Sequence, residues 1–430
     1  MKRRTFIKGV FAAGALSFAN LSDIYGKSAP SNKIKVALIG CGNMGWSNLS
    51  IFLDYPEVEC VALCDADNER LDKRAADVYE KSGLKPLKFK DWRRIIDNKN
   101  VDLVIIATPD HWHCLQMVYA CQAGKDVYVE KPLAHTVQEC NLMEAAASKY
   151  NRVVQVGQWQ RSDPHRAEAV EFATSARLGR IRNIRAWSYQ DDVSALPRIP
   201  DEPVPQGVDY EMWLGPALKR PFNKNRFHHN FRFFWDYSGG LMSERGVHLL
   251  DCALETMNAE MPEYVAGLGG KYAYPCDATE TPDTLTVVYK YPEFNLIWEH
   301  ACGVNHGLFG IKEGVAFYGE TGTMLLTCDG WEVFPVNGRM KAVPFKKDQG
   351  KGLYNHVGNT LECVRTRKTP NADVKAGSRA AKLCHIGNIS TRVGRALLWN
   401  NNTGRFADNG EANDYINAYY RAPWNLPEIK

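Results

Sequence analysis

The sequence predicts an α/β chain: a doubly wound parallel sheet, followed by an α+β domain whose sheet is largely antiparallel and open on one face. Three observations carry this. A β-branched run, Ile34 to Ile39, feeds straight into Gly40-x-Gly42-x-x-Gly45 and a helix-like pattern. Short, wholly apolar runs then alternate with helical stretches to about residue 157, which is the signature of parallel strands covered on both faces. Beyond that point strand-like runs follow one another across turns, as in "DTLTVVYKY" and "NLIWEHACG".

Ahead of the first strand stands "MKRRTFIKGVFAAGALSFANLS". Its apolar run, Gly9 to Ala19, is about half of the roughly 20 residues that span a bilayer. Basic residues in front and small residues behind fit an export signal. The pair Arg3-Arg4 makes it resemble a twin-arginine signal, a route for proteins that fold before crossing. Ser17-Phe18-Ala19 and Lys27-Ser28-Ala29 are both candidate cleavage sites. The expected layout is a signal and linker over 1–30, a dinucleotide-binding domain over 31–157 and a substrate and oligomerisation domain over 158–430, with the expected location periplasmic.

The formal charge of +4 is matched by Lys2, Arg3, Arg4 and Lys8 in the signal, which leaves the remainder near neutral. That gives no footing for nucleic acid or anionic lipid as a partner. Twelve cysteines in an exported chain raise the question of disulfides. Cys41, Cys60, Cys64, Cys114 and Cys121 sit in or beside apolar runs and no C-x-x-C occurs, so buried thiols are expected.

Each glycine of the loop has a physical task. Gly40 makes the tight turn, Gly42 admits a pyrophosphate against the backbone, and Gly45 lets helix and strand pack closely. The helix N-terminus then presents free N–H groups to phosphate. A second strand, "VECVALCD", ends at Asp65, twenty residues past Gly45. A carboxylate there bonds the ribose hydroxyls and repels a 2′-phosphate. NAD is therefore the expected cofactor, with NADP kept as the lesser option by Arg70. Helices are expected over about Asn68 to Ser82, Asp91 to Ile96, His113 to Gly124 and Val137 to Lys149. "VDLVIIAT", "DVYVE" and "RVVQVG" read as buried strands. Ligands in such sheets lie beyond the carboxyl ends of the strands, where Gly40, Asp65, Thr108 and Lys131 all fall. His111-x-His113 has the spacing of half a zinc site. The dinucleotide motif competes for the same crevice, so no metal is expected, and His113 is read as lining the cofactor pocket or capping its helix.

These residues resemble the Gfo/Idh/MocA family of NAD(P)-dependent sugar and polyol oxidoreductases. The resemblance rests on Gly40-Cys41-Gly42-Asn43-Met44-Gly45, Thr108-Pro109 with His113, Glu130-Lys131-Pro132, Gly157 with Arg161, and "GGLMSERGVHLLD" from Gly239 to Asp251. It implies that Asn43, Met44, Pro109 and Glu130 join the glycines at the cofactor. It also implies that Lys131 stands beside the nicotinamide and that His248 acts on the substrate hydroxyl. Histidine titrates near neutral pH and can take that proton, while an ammonium steadies the developing alkoxide. Where relatives often carry aspartate, four residues before the histidine, this chain has Glu244. On a helix Glu244 shares a face with His248 and can orient it or bind a sugar hydroxyl.

The stretch "YEMWLGPALKRPFNKNRFHHNFRFFWDYSGG" is too aromatic for a disordered linker. It reads as an ordered loop at the active site, with His228, His229, Arg232, Trp235 and Tyr237 as candidate substrate contacts. Arg161 and Asp251 are further candidates. The resemblance also implies a homo-oligomer built on the second sheet, and a late helix within "AAKLCHIGNISTRVGRALLW". The expected reaction is oxidation or reduction of a secondary hydroxyl of a sugar or glycoside, with tightly held, internally recycled NAD. The alternative is an NAD-dependent glycosidase or lyase that works through a transient keto-sugar.

Overall fold

A computed structural model describes residues 33–407 and 410–429. The twin-arginine reading and the 1–30 segment lie outside the described residues. The first sheet is built from β1 (Ile34–Ile39), β2 (Val58–Cys64), β3 (Leu87–Phe89), β4 (Leu103–Ile106), β5 (Asp126–Val129) and β6 (Val154–Val156). Their spatial order is β3-β2-β1-β4-β5-β6 and every neighbouring pair is parallel. Helices α1 (Asn43–Phe52), α2 (Asn68–Ser82), α3 (Arg93–Ile96), α4 (His113–Gln122) and α5 (Val137–Lys149) connect the strands. Strands β4 and β5 are buried at every position, as parallel strands with helices on both faces must be. The order reverses between β1 and β4, which opens a crevice at their carboxyl ends.

Local chemistry sets the helix starts. Asp67 caps α2 by accepting the Glu69 N–H at 3.0 Å. Thr136 and Glu139 form a reciprocal capping box on α5.

The second sheet runs β14-β13-β12-β11-β7-β10-β9-β8-β15-β16. Its strands are β7 (Asn183–Gln190), β8 (Tyr264–Gly270), β9 (Thr284–Lys290), β10 (Asn295–Cys302), β11 (Glu313–Tyr318), β12 (Gly322–Thr327), β13 (Gly330–Pro335), β14 (Val343–Lys347), β15 (Leu397–Asn400) and β16 (Arg405–Phe406). All pairings are antiparallel except β7 with β10. On β10 Leu296, Trp298, His300 and Cys302 are buried while the alternate residues are partly open, so the sheet is covered on one face, as the alternation predicts. That face packs on α8 (Val247–Met257) and α10 (Val374–Val393), whose side chains share one core with the strands. The late chain also returns to the first sheet. Val357 and Leu361 of α9 (Gly352–Thr366) sit in the core with β1 and α1, and Val374 and Ala381 of α10 join the core with α4 and α5.

Among the described residues no helix is long and apolar enough to cross a membrane. The twelve cysteines are all free, ten of them buried.

Candidate active site

The crevice at the end of β1 and β4 takes its shape from the glycine loop. Gly40 has φ +95°, and a Cβ there would lie 2.5 Å from the Ala107 carbonyl oxygen. A Cβ on Gly45 would lie 2.0 Å from the Gly40 oxygen. Only glycine permits both the backbone angle and these approaches. Helix α1 opens with Gly42 at its N-cap and no side-chain cap, so its first amides remain free for an anion. Asp65 closes the far end. Its two carboxylate oxygens accept the Cys41 N–H at 2.6 Å and the Asp67 N–H at 2.9 Å. Burial pushes the Asp65 pKa up, against these bonds and nearby Arg70.

The crevice spans about 1220 Å³ including its open mouth. Gly40, Gly42, Asn43, Met44, Asp65, Thr108, Pro109, Glu130 and Lys131 line it, as the sequence expects, and Arg70 stands on the same wall. The strained glycine turn, the uncapped helix start and the Asp65 carboxylate fit a dinucleotide. Gly45 lies beneath the turn rather than on the wall. Glu130 is held by the Asn48 side-chain amide at 2.8 Å, and a Cβ on Gly157 would come within 2.8 Å of it, which explains the glycine.

His113 departs from its expected place. It is 1% exposed, and its ring nitrogens face the Pro132 and Thr108 carbonyls at 2.8 and 2.9 Å. It braces the two strand ends behind the cofactor wall instead of touching a ligand. His111 is likewise buried, with Nε2 at 3.2 Å from the Trp213 carbonyl.

At the mouth of the crevice the two halves of the chain meet. Lys131 Nζ donates to Glu244 Oε2 at 2.8 Å and to the Glu244 carbonyl at 3.3 Å. Arg232 Nε lies 3.1 Å from the same Oε2. Burial alone would raise the Glu244 pKa, but the Lys131 and Arg232 charges hold it well below the usual carboxylate range. Glu244 sits in a single π-helical turn, Met242–Gly246, that runs into α8. Such turns widen the helix and recur at functional sites.

His248 follows in the first turn of α8. Burial and the neighbouring Lys131 charge lower its pKa to about 3, so the imidazole is neutral, and its Nδ1 is sealed without a hydrogen-bond partner among the described residues. It stands behind Glu244 rather than on the crevice wall.

Arg232 and Glu244 also border an adjoining cavity of about 1190 Å³ including its open mouth, walled on its far side by Gln190, Arg245, Lys271 and Asp283. This space opens onto the reacting end and is the candidate substrate site.

Four expected substrate contacts are corrected. Arg161 grips Asp251 through two nitrogens, with Nε at 2.8 Å and the terminal nitrogen at 2.7 Å. Arg166 bonds the same carboxylate at 2.9 Å and Glu255 at 2.7 Å. The Asp251 side chain is 0% exposed, so Arg161 and Asp251 form a buried ion cluster that ties α6 (Pro164–Thr174) to α8. Trp235 points away from the crevice, with its indole N–H on the Glu280 carbonyl at 3.1 Å and Arg392 stacked on its ring. Tyr237 is 0% exposed and packs beside Trp213 in an aromatic core. The aromatic loop is ordered by packing, and of its members only part faces the site.

The structure adds one residue that the sequence did not single out. Asp110 lines the crevice; burial raises its pKa to about 7, against the Ser238 hydroxyl that donates to it at 2.5 Å. Of the expected loop contacts, His228 and His229 line the crevice, and His228 also ties the loop to α2 through Asp67 at 2.9 Å. A polar residue closing a buried strand, as Asp110 does after Thr108-Pro109, is the signal that would have found it.

Comparison with known proteins agrees with this geometry. A family model described as "Oxidoreductase family, NAD-binding Rossmann fold" matches residues 34–158. A second, "Oxidoreductase family, C-terminal alpha/beta domain", matches 180–292 and 346–426. A glycosyl hydrolase family 109 protein of Shewanella baltica is 30% identical over 160 residues, which cover 32% of this chain and 35% of that protein. The chain thus matches about a third of the length of that relative. Among solved structures, aldose-aldose oxidoreductase from Caulobacter crescentus in complex with glycerol superposes with a TM-score of 0.63 at 20% identity, covering 85% of this chain and 99% of the other. A levoglucosan dehydrogenase solved with NADH and levoglucosan gives 0.65 at 18% identity, again over 85% and 99%. These two likenesses establish the shared fold.

Proposed function

We propose, from the premise that the chain belongs to the Gfo/Idh/MocA family of oxidoreductases, that it oxidises or reduces a secondary hydroxyl of a sugar or glycoside, for example at carbon 3, with NAD rather than NADP. The observation that carries this reading is the Lys131–Glu244–Arg232 cluster at the junction of the dinucleotide crevice and the adjoining polar cavity. NAD supplies the hydride acceptor or donor. Lys131 hydrogen-bonds the reacting hydroxyl and stabilises negative charge on its oxygen. Glu244 holds the ammonium in place. His248, being neutral, takes the proton; burial and then the Lys131 charge depress its basicity, and the Lys131 part is offset as the alkoxide develops beside it.

The Arg3-Arg4 signal adds a constraint. An exported enzyme meets no evident dinucleotide pool, so the cofactor is loaded before export, stays bound in the periplasm and is reset within the site by a second carbohydrate or an external redox partner. The open face of the second sheet, which carries Leu268 at 76% exposure, is the surface through which the chain forms a homo-oligomer.

The local likeness to glycosyl hydrolase family 109 proteins favours a second reading, cleavage of a glycoside through a transient ketone that acidifies the neighbouring C–H. Lys131 serves both schemes. One experiment separates them. Protein purified without added NAD is denatured, and released dinucleotide is identified by mass spectrometry; intact protein is incubated with a glycoside panel. A keto-sugar with bound NADH supports the first reading. Free aglycone without net NADH supports the second. Empty protein rejects the retained cofactor.

A further inference from the structure

Away from the crevice, side chains from two distant stretches of chain converge. Asp163 precedes α6, His165 is its second residue, and Asp348 follows β14. One oxygen of each carboxylate and one imidazole nitrogen all lie within 4.8 Å of one another. Asp163 is 2% exposed and His165 7%.

The hydrogen bonding of this group does not close. Asp163 occupies the N-cap of α6 yet makes no capping bond, and its Oδ1 is sealed without a partner among the described residues. A buried carboxylate oxygen with no donor is a costly arrangement.

His165 presents Nε2 to the Thr327 carbonyl at 3.3 Å. A carbonyl only accepts, so Nε2 carries the proton, and in a neutral ring Nδ1 is then a bare lone pair. That lone pair lies 2.9 Å from Asp348 Oδ1, in an alignment that leaves both atoms without a hydrogen bond. The other Asp348 oxygen is fixed by the Gly350 N–H at 2.9 Å. Two acceptors held this close repel one another unless they share a proton or a metal cation. Adjacent ligands of an octahedral ion bound at about 2.1 Å stand roughly 3 Å apart. A second ring nitrogen anchored on a backbone carbonyl is also how metal-bound histidines are oriented.

We propose that Asp163, His165 and Asp348 form a binding site for a divalent first-row transition cation, Mn²⁺ or Zn²⁺, completed by water. One imidazole with two carboxylates suits these ions better than Ca²⁺, which takes oxygen ligands. The ion fastens the end of β14 to the start of α6. Helix α9 approaches the same carboxylate, since a Cβ on Gly352 would lie 1.8 Å from Asp163 Oδ1. The sequence expectation of no metal rested on His111-x-His113 and does not bear on this group.

Untagged full-length protein, stripped with chelator, is dialysed against Mn²⁺ or Zn²⁺ alone. One equivalent per chain is expected to remain, with a rise in Tm. Asp348→Asn and Asp163→Asn are each expected to weaken retention at least tenfold and to abolish the metal-dependent rise. No retained ion, or retention unchanged in both variants, overturns the site. Should the variants fail to fold, anomalous scattering from Mn²⁺-loaded wild-type crystals decides: a peak among these three side chains supports it, and a peak only elsewhere overturns it.

Discussion

Glu244 Oε2 sits 2.8 Å from the Lys131 ammonium, although 113 residues separate the two in the chain. The contact joins the end of β5 to the π-turn before α8, and so joins the dinucleotide crevice to the adjoining polar cavity. Arg232 completes the arrangement from the aromatic loop. One carboxylate therefore sets the position of two cations at the reacting end.

Glu244→Gln removes the charge and keeps the shape. Lys131 then loses the acceptor that aims it, and a misplaced catalytic group costs on the order of 10²-fold in rate. We expect kcat to fall by about that factor while dinucleotide content and Tm stay near wild type. Glu244→Asp should recover part of the rate. A Gln variant with full kcat would show that Glu244 does not position Lys131.

His248 gives a pH signature. In the proposed mechanism the active form is the neutral ring, and a folded pKa of about 3 means protonation does not remove it near pH 6.5. His248 should therefore add no acid limb to the kcat/KM profile between pH 7 and the onset of acid unfolding, and a limb near pH 7 that persists in the His248 variant belongs to Asp110. His248→Gln should lose about 10²- to 10⁴-fold at every pH. An acid limb near pH 6.5 that vanishes in the Gln variant would contradict this.

Acid unfolding itself follows from buried histidines outside the site. Burial lowers His300, His356 and His385 to about 4. Between that value and the unfolded value of about 6.5, the unfolded chain binds protons that the native chain does not. Stability from these groups is present above pH 6.5 and is lost as pH falls toward 4. Asp110 and Glu139, both raised to about 7 by burial, act in the opposite sense. We expect the three histidines to win and Tm to fall from pH 6.5 to 4, as followed by circular dichroism. His385→Gln should flatten the fall.

The correction at Arg161 and Asp251 is also testable. Asp251→Asn leaves two buried guanidinium groups short of charge, and breaking such a cluster costs about 3–5 kcal/mol. A large fall in Tm is expected, with KM for the substrate little changed in the fraction that remains folded. A raised KM without loss of stability would restore the substrate-contact reading.

These outcomes show where the sequence is informative. The glycine loop, Asp65, Thr108 and Lys131 were readable because each is fixed by its position at a strand end, which is a local property. The pairing of Arg161 with Asp251 spans 90 residues, and an arginine after a strand looks the same whether it meets substrate or a buried carboxylate. Trp235 and Tyr237 failed for a related reason, since aromatic composition reports an ordered loop but not which side faces the core. The π-turn at Glu244 left no sequence mark. Asp163 and Asp348 are far apart in the chain, and only the fold brings them together.

Cofactor choice can be decided at Asp65. Its carboxylate is oriented by the Cys41 and Asp67 amides, so it is fixed where the adenosine ribose of a dinucleotide would reach. Arg70 lies on the same wall, and its pKa is lowered by burial, with Asp65 acting against that shift. On the NAD reading proposed above, a 2′-phosphate would meet like charge at Asp65, which offsets Arg70. Asp65→Asn removes that repulsion and leaves Arg70 free to pair with the phosphate, while its single amide oxygen keeps only one of the two backbone bonds from Cys41 and Asp67. We expect NAD affinity to drop by about tenfold, the loss of one charged hydrogen bond, and NADP affinity to rise. The NAD/NADP ratio of Kd values, measured by calorimetry on cofactor-free protein, should shift by more than tenfold. A double variant, Asp65→Asn with Arg70→Ala, should lose the gain in NADP affinity and keep the weakened NAD binding. If the single variant leaves the ratio unmoved, Asp65 is not the residue that selects NAD.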